Sequence, residues 1–339
     1  MVKKMDEKAI ELKLYSICTD VESAYERIKT YIYKTPLTIS RELSYDTGAK
    51  VYLKLESEQV TGSFKIRGAL NKILLLKELE PERLANGIVT ASSGNHGIAC
   101  MHSGEIFGHS VEVYGPETMS KTKIETLLTS FGARFILYGQ NCVEAEMKAR
   151  KSAQERDKVY VSPYNDWDVM TGSGTVGYEI YSEQPDIDYV LVSVGGGGLL
   201  GGVAAYLKMK NSKIRVIGCQ PKNSKVMYES VKVGYIKDDE PSVDTLSDGT
   251  AGDVEDGSVT FPVCARFADD WILVDEQQIS DAIFFMLDKH HKLIEGAAGV
   301  VIAALQSNKE RFKDKNVALV ICGGNICAKT IKSVLDSHL

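Results

Sequence analysis

Residues 188–210 read DYVLVSVGGGGLLGGVAAYLKMK, and this stretch decides the fold class. The apolar run DYVLVSV is typical of a buried strand, and LLGGVAAYLKMK has the pattern of a helix. Four consecutive glycines, from Gly195 to Gly198, join the two segments. A strand that passes through a short turn into a helix is the repeating unit of α/β proteins.

The same alternation continues in both directions from this stretch. Strands are predicted at 50–56, 87–92, 110–115, 133–139, 159–164, 188–194, 214–220, 271–276 and 316–322. Helices are predicted at 63–79, 97–108, 121–132, 142–157, around 175–184, and at 199–210, 279–296 and 297–308. Helices between strands predict parallel sheet with helices on both faces. Residues 232–270, rich in Gly, Asp, Ser and Thr, are predicted as a long irregular segment, either functional or a disordered insert.

Composition limits the classes of protein to which the chain can belong. Its 339 residues, 44% of them hydrophobic, can bury a large core in two domains or in one large domain. The net charge of −6, without a basic block, argues against nucleic acid or an anionic membrane as a partner. Residues 1–20 lack the apolar core of a secretory signal, and no apolar run is long enough to span a membrane. Seven cysteines without a CxxC pair indicate reduced thiols in a soluble cytoplasmic enzyme.

The first of three glycine-bearing turns is TGSFK, residues 61–65, at the start of a predicted helix. Thr61 or Ser63 can cap this helix, which leaves Lys65 in its first turn. The positive end of the helix dipole and burial both favour the neutral amine that a Schiff base requires. Taken alone, the pattern favours an ordinary surface lysine, since the chain has 40 lysines and arginines.

The second turn is ASSGNHG, residues 91–97, between a predicted strand and a predicted helix. Free backbone N–H groups and two hydroxyls at a helix start form an anion pocket that suits a carboxylate. Asn95 can donate a hydrogen bond to a ring hydroxyl. The alternative is a polar capping turn with a solvated His96.

The third turn is the run of glycines that follows the strand at 188–194. Successive glycines let backbone amides close around a phosphate, and the dipole of the next helix adds to the attraction. The turn also contains a GxGxxG match at Gly196, Gly198 and Gly201, which makes a dinucleotide-binding dehydrogenase an alternative. Its position past mid-chain, and Gln220 at the next strand end where an acid is needed, argue against that alternative.

Together the three turns resemble those of the fold-type II pyridoxal-phosphate enzymes, in the branch of threonine and serine dehydratases and serine racemases. The motifs follow the family's order: TPL (35–37), VYLKLE (51–56), TGSFKIRGA (61–69), SSGNHG (92–97), GGGGLLGG (195–202), IEGAAGV (294–300) and CGGN (322–325). The resemblance implies a tryptophan synthase β-like α/β fold with two domains, each with a mainly parallel sheet flanked by helices. Residues 1–86 and 165–339 would form the large domain and residues 87–164 the small inserted domain, with the cofactor in the cleft between them.

The resemblance also implies a role for individual residues. Lys65 would form the Schiff base with pyridoxal 5′-phosphate, with Phe64 packed beside the ring. Asn95 would bond the ring 3′ oxygen, and Cys322 would face the pyridine nitrogen. The phosphate would be held by the main-chain amides of Gly195, Gly196, Gly197, Gly198 and Leu199. The substrate carboxylate would be received by Ser92, Ser93, Gly94, Asn95 and His96.

These parts imply the β-elimination of L-threonine and/or L-serine to a 2-oxo acid and ammonia. A neutral Lys65 is the general base at Cα, and the cofactor ring delocalises the developing charge. The neutral thiol of Cys322 leaves the ring nitrogen largely unprotonated, which favours elimination over transamination. The alternatives are a serine racemase or a hydroxyaspartate ammonia-lyase, because Ser93 holds the position that serves the opposite substrate face in racemases. A cofactor-binding protein without turnover is a third interpretation, against which the intact Lys65 speaks.

Some positions depart from the family's pattern. Gln220 and Val226 stand where racemases and some dehydratases have acids that bind a divalent cation, so no metal site is predicted. Gly296 replaces a common proline, and Glu144 or a neighbour stands where racemases have an arginine. The chain ends soon after CGGN, so no feedback-regulatory domain is expected. A homodimer or homotetramer that binds a small amino-acid substrate is expected.

Overall fold

The computed structural model of the chain describes residues 7–92, 94–119, 134–140, 142–237 and 239–339, with backbone alone for residues 7–10. Its strands are β1 (Leu37–Ile39), β2 (Lys50–Leu55), β3 (Ile88–Ala91), β4 (Val111–Gly115), β5 (Arg134–Leu137), β6 (Val159–Tyr160), β7 (Tyr189–Ser193), β8 (Arg215–Pro221), β9 (Asp270–Val274) and β10 (Asn316–Ile321). Its helices are α1 (Glu7–Ile28), α2 (Arg41–Thr47), α3 (Lys65–Leu79), α4 (Pro81–Ala85), α5 (Asn95–Phe107), α6 (Cys142–Glu155), α7 (Trp167–Glu183), α8 (Gly198–Lys210), α9 (Val226–Val233), α10 (Thr260–Phe267), α11 (Glu276–His290), α12 (Gly296–Ser307), α13 (Lys309–Phe312) and α14 (Ala328–His338).

The larger sheet has six strands in the order β1-β2-β10-β7-β8-β9. Every neighbouring pair is parallel except β1 and β2, which are antiparallel. The neighbours β2, β10 and β7 lead at their carboxyl ends to Lys65, Cys322 and the glycine turn, respectively. Because carboxyl ends of parallel strands share one edge of a sheet, this topology brings three predicted site segments together.

The smaller sheet has four parallel strands in the order β5-β4-β3-β6. All four lie between residues 88 and 160, inside the predicted small domain. Its strand β3 leads into α5, and the second predicted turn connects them. The mainly parallel α/β fold is therefore confirmed, whereas the domain boundaries at 86/87 and 164/165 stay a prediction.

The helices that flank the larger sheet are apolar on almost every side. Residues Gly198 to Leu207 of α8 are all buried, as are Gly296 to Leu305 of α12. Such helices are typical of a core layer rather than of a solvated surface. Glycine lets α8 approach α7 closely, because a Cβ at Gly202 would overlap the carbonyl oxygen of Met170. This contact fixes the position of the glycine turn at the start of α8.

Most predicted elements are confirmed, and the differences have local physical reasons. The stretch predicted to be irregular contains α10, so that prediction is wrong for residues 260–267. Thr260, Val263 and Cys264 are buried at the i, i+3, i+4 spacing of a helix, a signal too short to stand out in a polar stretch. Strand β1 and helices α1, α2, α4, α9, α13 and α14 were not predicted. The helix predicted at 121–132 lies outside the described residues. No helix in the described part of the chain is long and apolar enough to cross a membrane.

Candidate active site

Lys65 is the first residue of α3, which follows β2 of the larger sheet, and its amine reaches the segment that follows β6 of the smaller sheet. Its Nζ atom donates a hydrogen bond to the carbonyl oxygen of Pro163, at 2.8 Å. Burial lowers the pKa of Lys65 to about 8, although the nearby Cys322 and Glu295 act in the opposite direction. A lysine with a lowered pKa holds a larger fraction of its amine in the neutral, nucleophilic form at neutral pH. The partial burial of the side chain and its bond to Pro163 argue against an ordinary surface lysine.

The prediction that Thr61 or Ser63 caps this helix is wrong. The residue before α3 is Phe64, and no side chain caps the helix. The hydroxyls of Thr61 and Ser63 are instead buried and have no hydrogen-bond partner within the described residues. Buried hydroxyls without partners are uncommon. These two belong to residues that precede Lys65 in the chain by four and two positions. They indicate that a polar ligand belongs beside them.

Asn95 is the first residue of α5, and its side-chain amide is held on both sides. Its Nδ2 atom donates to both carboxylate oxygens of Glu295, at 2.9 Å each. Its Oδ1 atom accepts from Nδ2 of Asn325, at 2.7 Å. The second turn is thereby joined to the CGGN segment that follows β10. Asn95 and Asn325 are 230 residues apart in sequence.

The other residues of the second turn differ in placement. The Ser92 hydroxyl accepts from the Gly94 N–H at 3.2 Å. His96 is only 2% exposed, so the alternative of a solvated histidine is wrong. Its Nε2 atom lies 3.1 Å from the Val161 carbonyl oxygen, and burial lowers its pKa to about 3. Ser93 lies outside the described residues, so its two predicted roles stay predictions.

The glycine turn is surrounded by atoms that would clash with larger side chains. A Cβ at Gly195 would lie 3.0 Å from Cα of Thr250, and one at Gly196 would overlap the ring of Tyr164. Gly197 has a φ of 85°, in the left-handed region that favours glycine. Helix α8 begins directly after it, and Leu199 is buried in the first turn of that helix. The turn can therefore present backbone N–H groups and a helix N-terminus to an anion.

Cys322 directly follows β10, at the start of the CGGN segment. It is buried, and burial raises the pKa of its thiol well above the ordinary value. Its carbonyl oxygen accepts from the Phe64 N–H at 3.0 Å, which joins β10 to the residue before Lys65. The Phe64 ring lies beside the lysine, with its centroid 5.2 Å from Nζ. A neutral thiol is thus fixed close to the Lys65 amine.

Glu295 lies beside Asn95 and near Lys65, although the sequence predicted no role for it. Its side chain is 6% exposed, and burial raises the pKa of its carboxyl to about 7. A Cβ on Gly323 would lie 2.5 Å from Glu295 Oε1, so only glycine leaves room for this carboxyl. An acid buried without a cation at hydrogen-bonding distance is a frequent sign of function. The one sequence signal was its position inside the IEGAAGV motif.

The positions that depart from the family's pattern are structural in this fold. Gln220 is buried, donates to the Val194 carbonyl oxygen at 3.1 Å and accepts from the Tyr228 N–H at 2.8 Å. Val226 begins α9 and is buried. Among the residues that the structure describes, no three His, Cys, Asp or Glu side chains come together as metal ligands would.

Comparison with known proteins identifies the family to which this arrangement belongs. Residues 28–323 match the family of pyridoxal-phosphate dependent enzymes. The chain belongs to that family. Pyridoxal phosphate is accordingly its cofactor. The residues present fit this group, since they supply a lysine of lowered pKa, buried hydroxyls without partners and a glycine turn that leaves no room for side chains.

Individual proteins are similar to this chain over most of its length. An L-threonine ammonia-lyase of Thermotoga maritima is 39% identical over 320 residues, which is 94% of this chain and 78% of the relative. The processed form of threonine deaminase isoform 2 from Solanum lycopersicum has a TM-score of 0.87 and 29% identity, over 98% of this chain and 94% of that one. Maize serine racemase has a TM-score of 0.86 and 29% identity, over 95% and 97% of the two chains.

Proposed function

We propose that this protein is an ammonia-lyase that converts L-threonine, L-serine or both into a 2-oxo acid and ammonia. The observation that carries the proposal is the placement of the Lys65 amine, with its lowered pKa, within a group formed by the ends of β2, β10 and β7. The T. maritima relative, which covers nearly the whole chain, is an L-threonine ammonia-lyase and supports the same reaction.

Residues from all three turns would hold the cofactor. Lys65 would bind it covalently through Nζ, and Phe64 would pack beside its ring. The amides of Gly195, Gly196, Gly197, Gly198 and Leu199 would hold its phosphate. Asn95 would contact the ring oxygen and Cys322 the ring nitrogen. When bound, the cofactor supplies a conjugated ring that delocalises negative charge developing at the substrate Cα.

The chain's own groups would then bind the substrate and move its protons. The turn from Ser92 to His96, at the start of α5, would receive the substrate carboxylate through backbone N–H groups and the Ser92 hydroxyl. His96 would contribute its backbone N–H only, because its ring faces Val161. A neutral Lys65 amine would take the proton from Cα. Loss of the β-hydroxyl as water, followed by hydrolysis of the released enamine, gives the 2-oxo acid and ammonia.

Substrate preference tests the proposal directly. Purified protein loaded with pyridoxal phosphate is incubated with L-serine, L-threonine, D-serine, hydroxyaspartate and phenylserine, and ammonia and 2-oxo acid are measured for each. L-Threonine and L-serine should release equal amounts of ammonia and 2-oxo acid. If hydroxyaspartate alone releases ammonia, the alternative of a hydroxyaspartate ammonia-lyase replaces the proposal.

Racemisation is the second candidate, because maize serine racemase shares the fold and Ser93 holds the position that serves the second face in racemases. A racemase needs an acid–base group on each side of the planar intermediate state. Incubation of L-serine in D₂O, with pyruvate and D-serine both followed, separates the reactions. We expect pyruvate to form faster. If D-serine forms faster, and Ser93→Ala removes only D-serine, the protein is a racemase.

We further propose that the protein is cytoplasmic, forms a homodimer or homotetramer and needs no metal ion. The seven cysteines include no CxxC pair, which suits reduced thiols in a reducing compartment. An apolar hollow lined by Leu14, Tyr15, Met209 and Phe267 would suit a subunit contact. Light scattering after gel filtration measures the assembly. Activity that is lost with a chelator and restored by Mg²⁺ would contradict the metal-free proposal.

A further inference from the structure

The segment between Asp248 and Thr260 packs against the glycine turn. Thr250 contacts Gly195, and Thr260 Oγ1 donates to the Gly196 carbonyl oxygen at 2.6 Å. Between these two contacts, the backbone N–H of Glu255 donates to the Tyr164 hydroxyl at 2.9 Å, and the Tyr164 ring lies on Gly196. This segment therefore meets the glycine turn directly through Thr250 and Thr260, and indirectly through Tyr164.

The side chain of Glu255 points away from the glycine turn, toward the smaller sheet. Its two carboxylate oxygens accept from Arg150 Nη2, at 2.9 and 2.8 Å. Asn165 Nδ2 donates to Oε2 of the same carboxylate at 2.9 Å, and Asn165 Oδ1 accepts from the Val259 N–H at 2.9 Å. Arg150 belongs to α6, which follows β5 of the smaller sheet. One ion pair thus joins α6 to the segment that supports the glycine turn on the larger sheet.

Arg150 is itself held rigidly on α6. Its Nε and Nη2 atoms donate to Glu146 Oε1 at 3.0 and 2.7 Å, and its guanidinium lies 4.4 Å from the centroid of the Tyr160 ring. The Tyr160 hydroxyl donates to the same Glu146 oxygen at 3.0 Å. A guanidinium fixed on three sides loses little conformational entropy when it binds Glu255. Such a pair is better suited to define a geometry than two mobile surface side chains are.

We propose that Glu255 and Arg150 form a latch that ties α6 to residues 248–260 and so keeps the glycine turn in the shape that binds the cofactor phosphate. Both are positioning residues, since they act through Thr250, Tyr164 and Thr260. The inference rests on the proposed role of the glycine turn as the phosphate site. It assigns a function to part of the Gly- and Asp-rich segment that interrupts the strand–helix alternation.

Cofactor binding with and without the phosphate group tests the latch. Apo-protein is titrated with pyridoxal 5′-phosphate and, separately, with pyridoxal, and the dissociation constants are measured from the visible absorbance. Glu255→Ala and Arg150→Ala should each weaken pyridoxal phosphate about tenfold and leave pyridoxal within about twofold. The double variant should lose little more than either single variant, because both remove the same interaction. Arg150→Lys, which keeps the charge but not the fork, should fall between wild type and Arg150→Ala.

Two control variants make the result decisive. Asp270→Ala removes the ion pair with Arg311, which is 2.7 Å long. Asp270 begins the edge strand β9, at the opposite end of the larger sheet from the glycine turn, so the variant should leave both constants unchanged. Gly197→Ala tests the phosphate role itself, because its φ of 85° opposes a side chain. If Gly197→Ala selectively weakens pyridoxal phosphate while Glu255→Ala behaves like Asp270→Ala, the latch is wrong and the proposed function stands. If neither variant distinguishes the two ligands, the latch and the phosphate role of the glycine turn are both wrong.

Discussion

The Asn95 side-chain amide donates to both oxygens of the Glu295 carboxylate, although the two residues are 200 positions apart in sequence. Asn325 donates to the opposite side of the same amide, at 2.7 Å from Asn95 Oδ1. The orientation of an asparagine amide is set by its partners, and here all of its partners agree. The N–H side of Asn95 is therefore fixed by an acid whose carboxyl has a pKa raised to about 7 by burial.

Glu295→Gln should remove a titration near pH 7 from the active site. The carboxyl of Glu295 gains a charge as pH rises through about 7, whereas glutamine keeps the shape and stays neutral. We expect the pH midpoint of the bound-cofactor absorbance near neutrality to disappear in Glu295→Gln and to persist in Glu295→Asp. A buried acid with a purely structural role would change the thermal midpoint of unfolding but not the spectral titration. An unchanged spectral midpoint in Glu295→Gln would show that the charge of Glu295 does not affect the absorbance of the bound cofactor.

Lys65→Ala should abolish covalent attachment of the cofactor. Lys65 has an amine of lowered pKa, which favours nucleophilic attack on an aldehyde. Borohydride reduction followed by peptide mass spectrometry should locate the cofactor on Lys65 in the wild type and nowhere in Lys65→Ala. Turnover should fall by at least about a hundredfold, since the same amine is the proposed general base. Lys72→Ala is a matched control on the same helix, because Asp166 and Asp168 hold the pKa of Lys72 above its usual value.

The placement of Lys65 and Cys322 after strands of the larger sheet could be predicted, because short stretches of neighbouring residues are enough to indicate those strands and turns. A glycine-bearing turn after an apolar run indicates the carboxyl end of a parallel strand, and neighbouring ends meet at one sheet edge. The roles of Glu295 and Glu255 were not predictable in the same way. Each acts through partners at least 90 positions away, and the side chain that an acid meets at that distance depends on packing rather than on sequence spacing. His96 illustrates the same limit, since only tertiary packing turns its ring toward Val161.

Cys322→Ser should keep most of the elimination activity, and Cys322→Asp should lose about a hundredfold or more. A serine hydroxyl is a neutral hydrogen-bonding group like the thiol, whereas an aspartate would protonate the ring nitrogen and change the charge of the cofactor. Steady-state rates with L-threonine measure the effect. Cys219→Ser, at a buried cysteine of β8 on the same sheet, is the control and should be active. Full activity of Cys322→Asp would show that this residue does not touch the ring.

Arg67→Met should destabilise the fold strongly. Arg67 lies in the first turn of α3, the helix that begins with Lys65, and it is fully buried. It forms ion pairs with Glu56 at 2.7 Å and Glu179 at 2.8 Å. Among the described residues, Lys54 would then remain as a cation beside these carboxylates, in its ion pair with Glu179 at 2.6 Å. Removing one partner of a buried ion pair costs about 3–5 kcal/mol. Urea unfolding followed by circular dichroism measures the change. A loss below about 1 kcal/mol, as for an exposed ion pair, would contradict the prediction.

Glu255 should make the stability of the protein depend on pH in the direction opposite to an ordinary salt-bridged acid. Burial and the neighbouring Glu146 raise the pKa of Glu255 to about 7, while Arg150 and Asn165 act in the opposite direction. The folded state therefore binds the proton more tightly than the unfolded chain does. Stability contributed by this group is complete below the unfolded pKa of about 4.5 and is lost as pH rises through about 7.

Glu255→Gln cannot ionise, so it should remove that contribution to the pH dependence. We expect the thermal midpoint of wild type, measured relative to Glu255→Gln by differential scanning calorimetry of apo-protein, to fall steadily between pH 5 and pH 8. Glu146 and Tyr160 also face Arg150 and remain in both proteins, so the variant removes one carboxyl and leaves the other groups around Arg150 in place. Asp275→Asn provides a contrast, because the backbone N–H of Gln278 lowers the pKa of Asp275. Relative to that variant, the wild type should gain stability as pH rises through the acid range toward the ordinary aspartate pKa of 3.8. A wild-type midpoint that rises relative to Glu255→Gln over the neutral range would mean that Arg150 outweighs burial and Glu146 at this carboxyl.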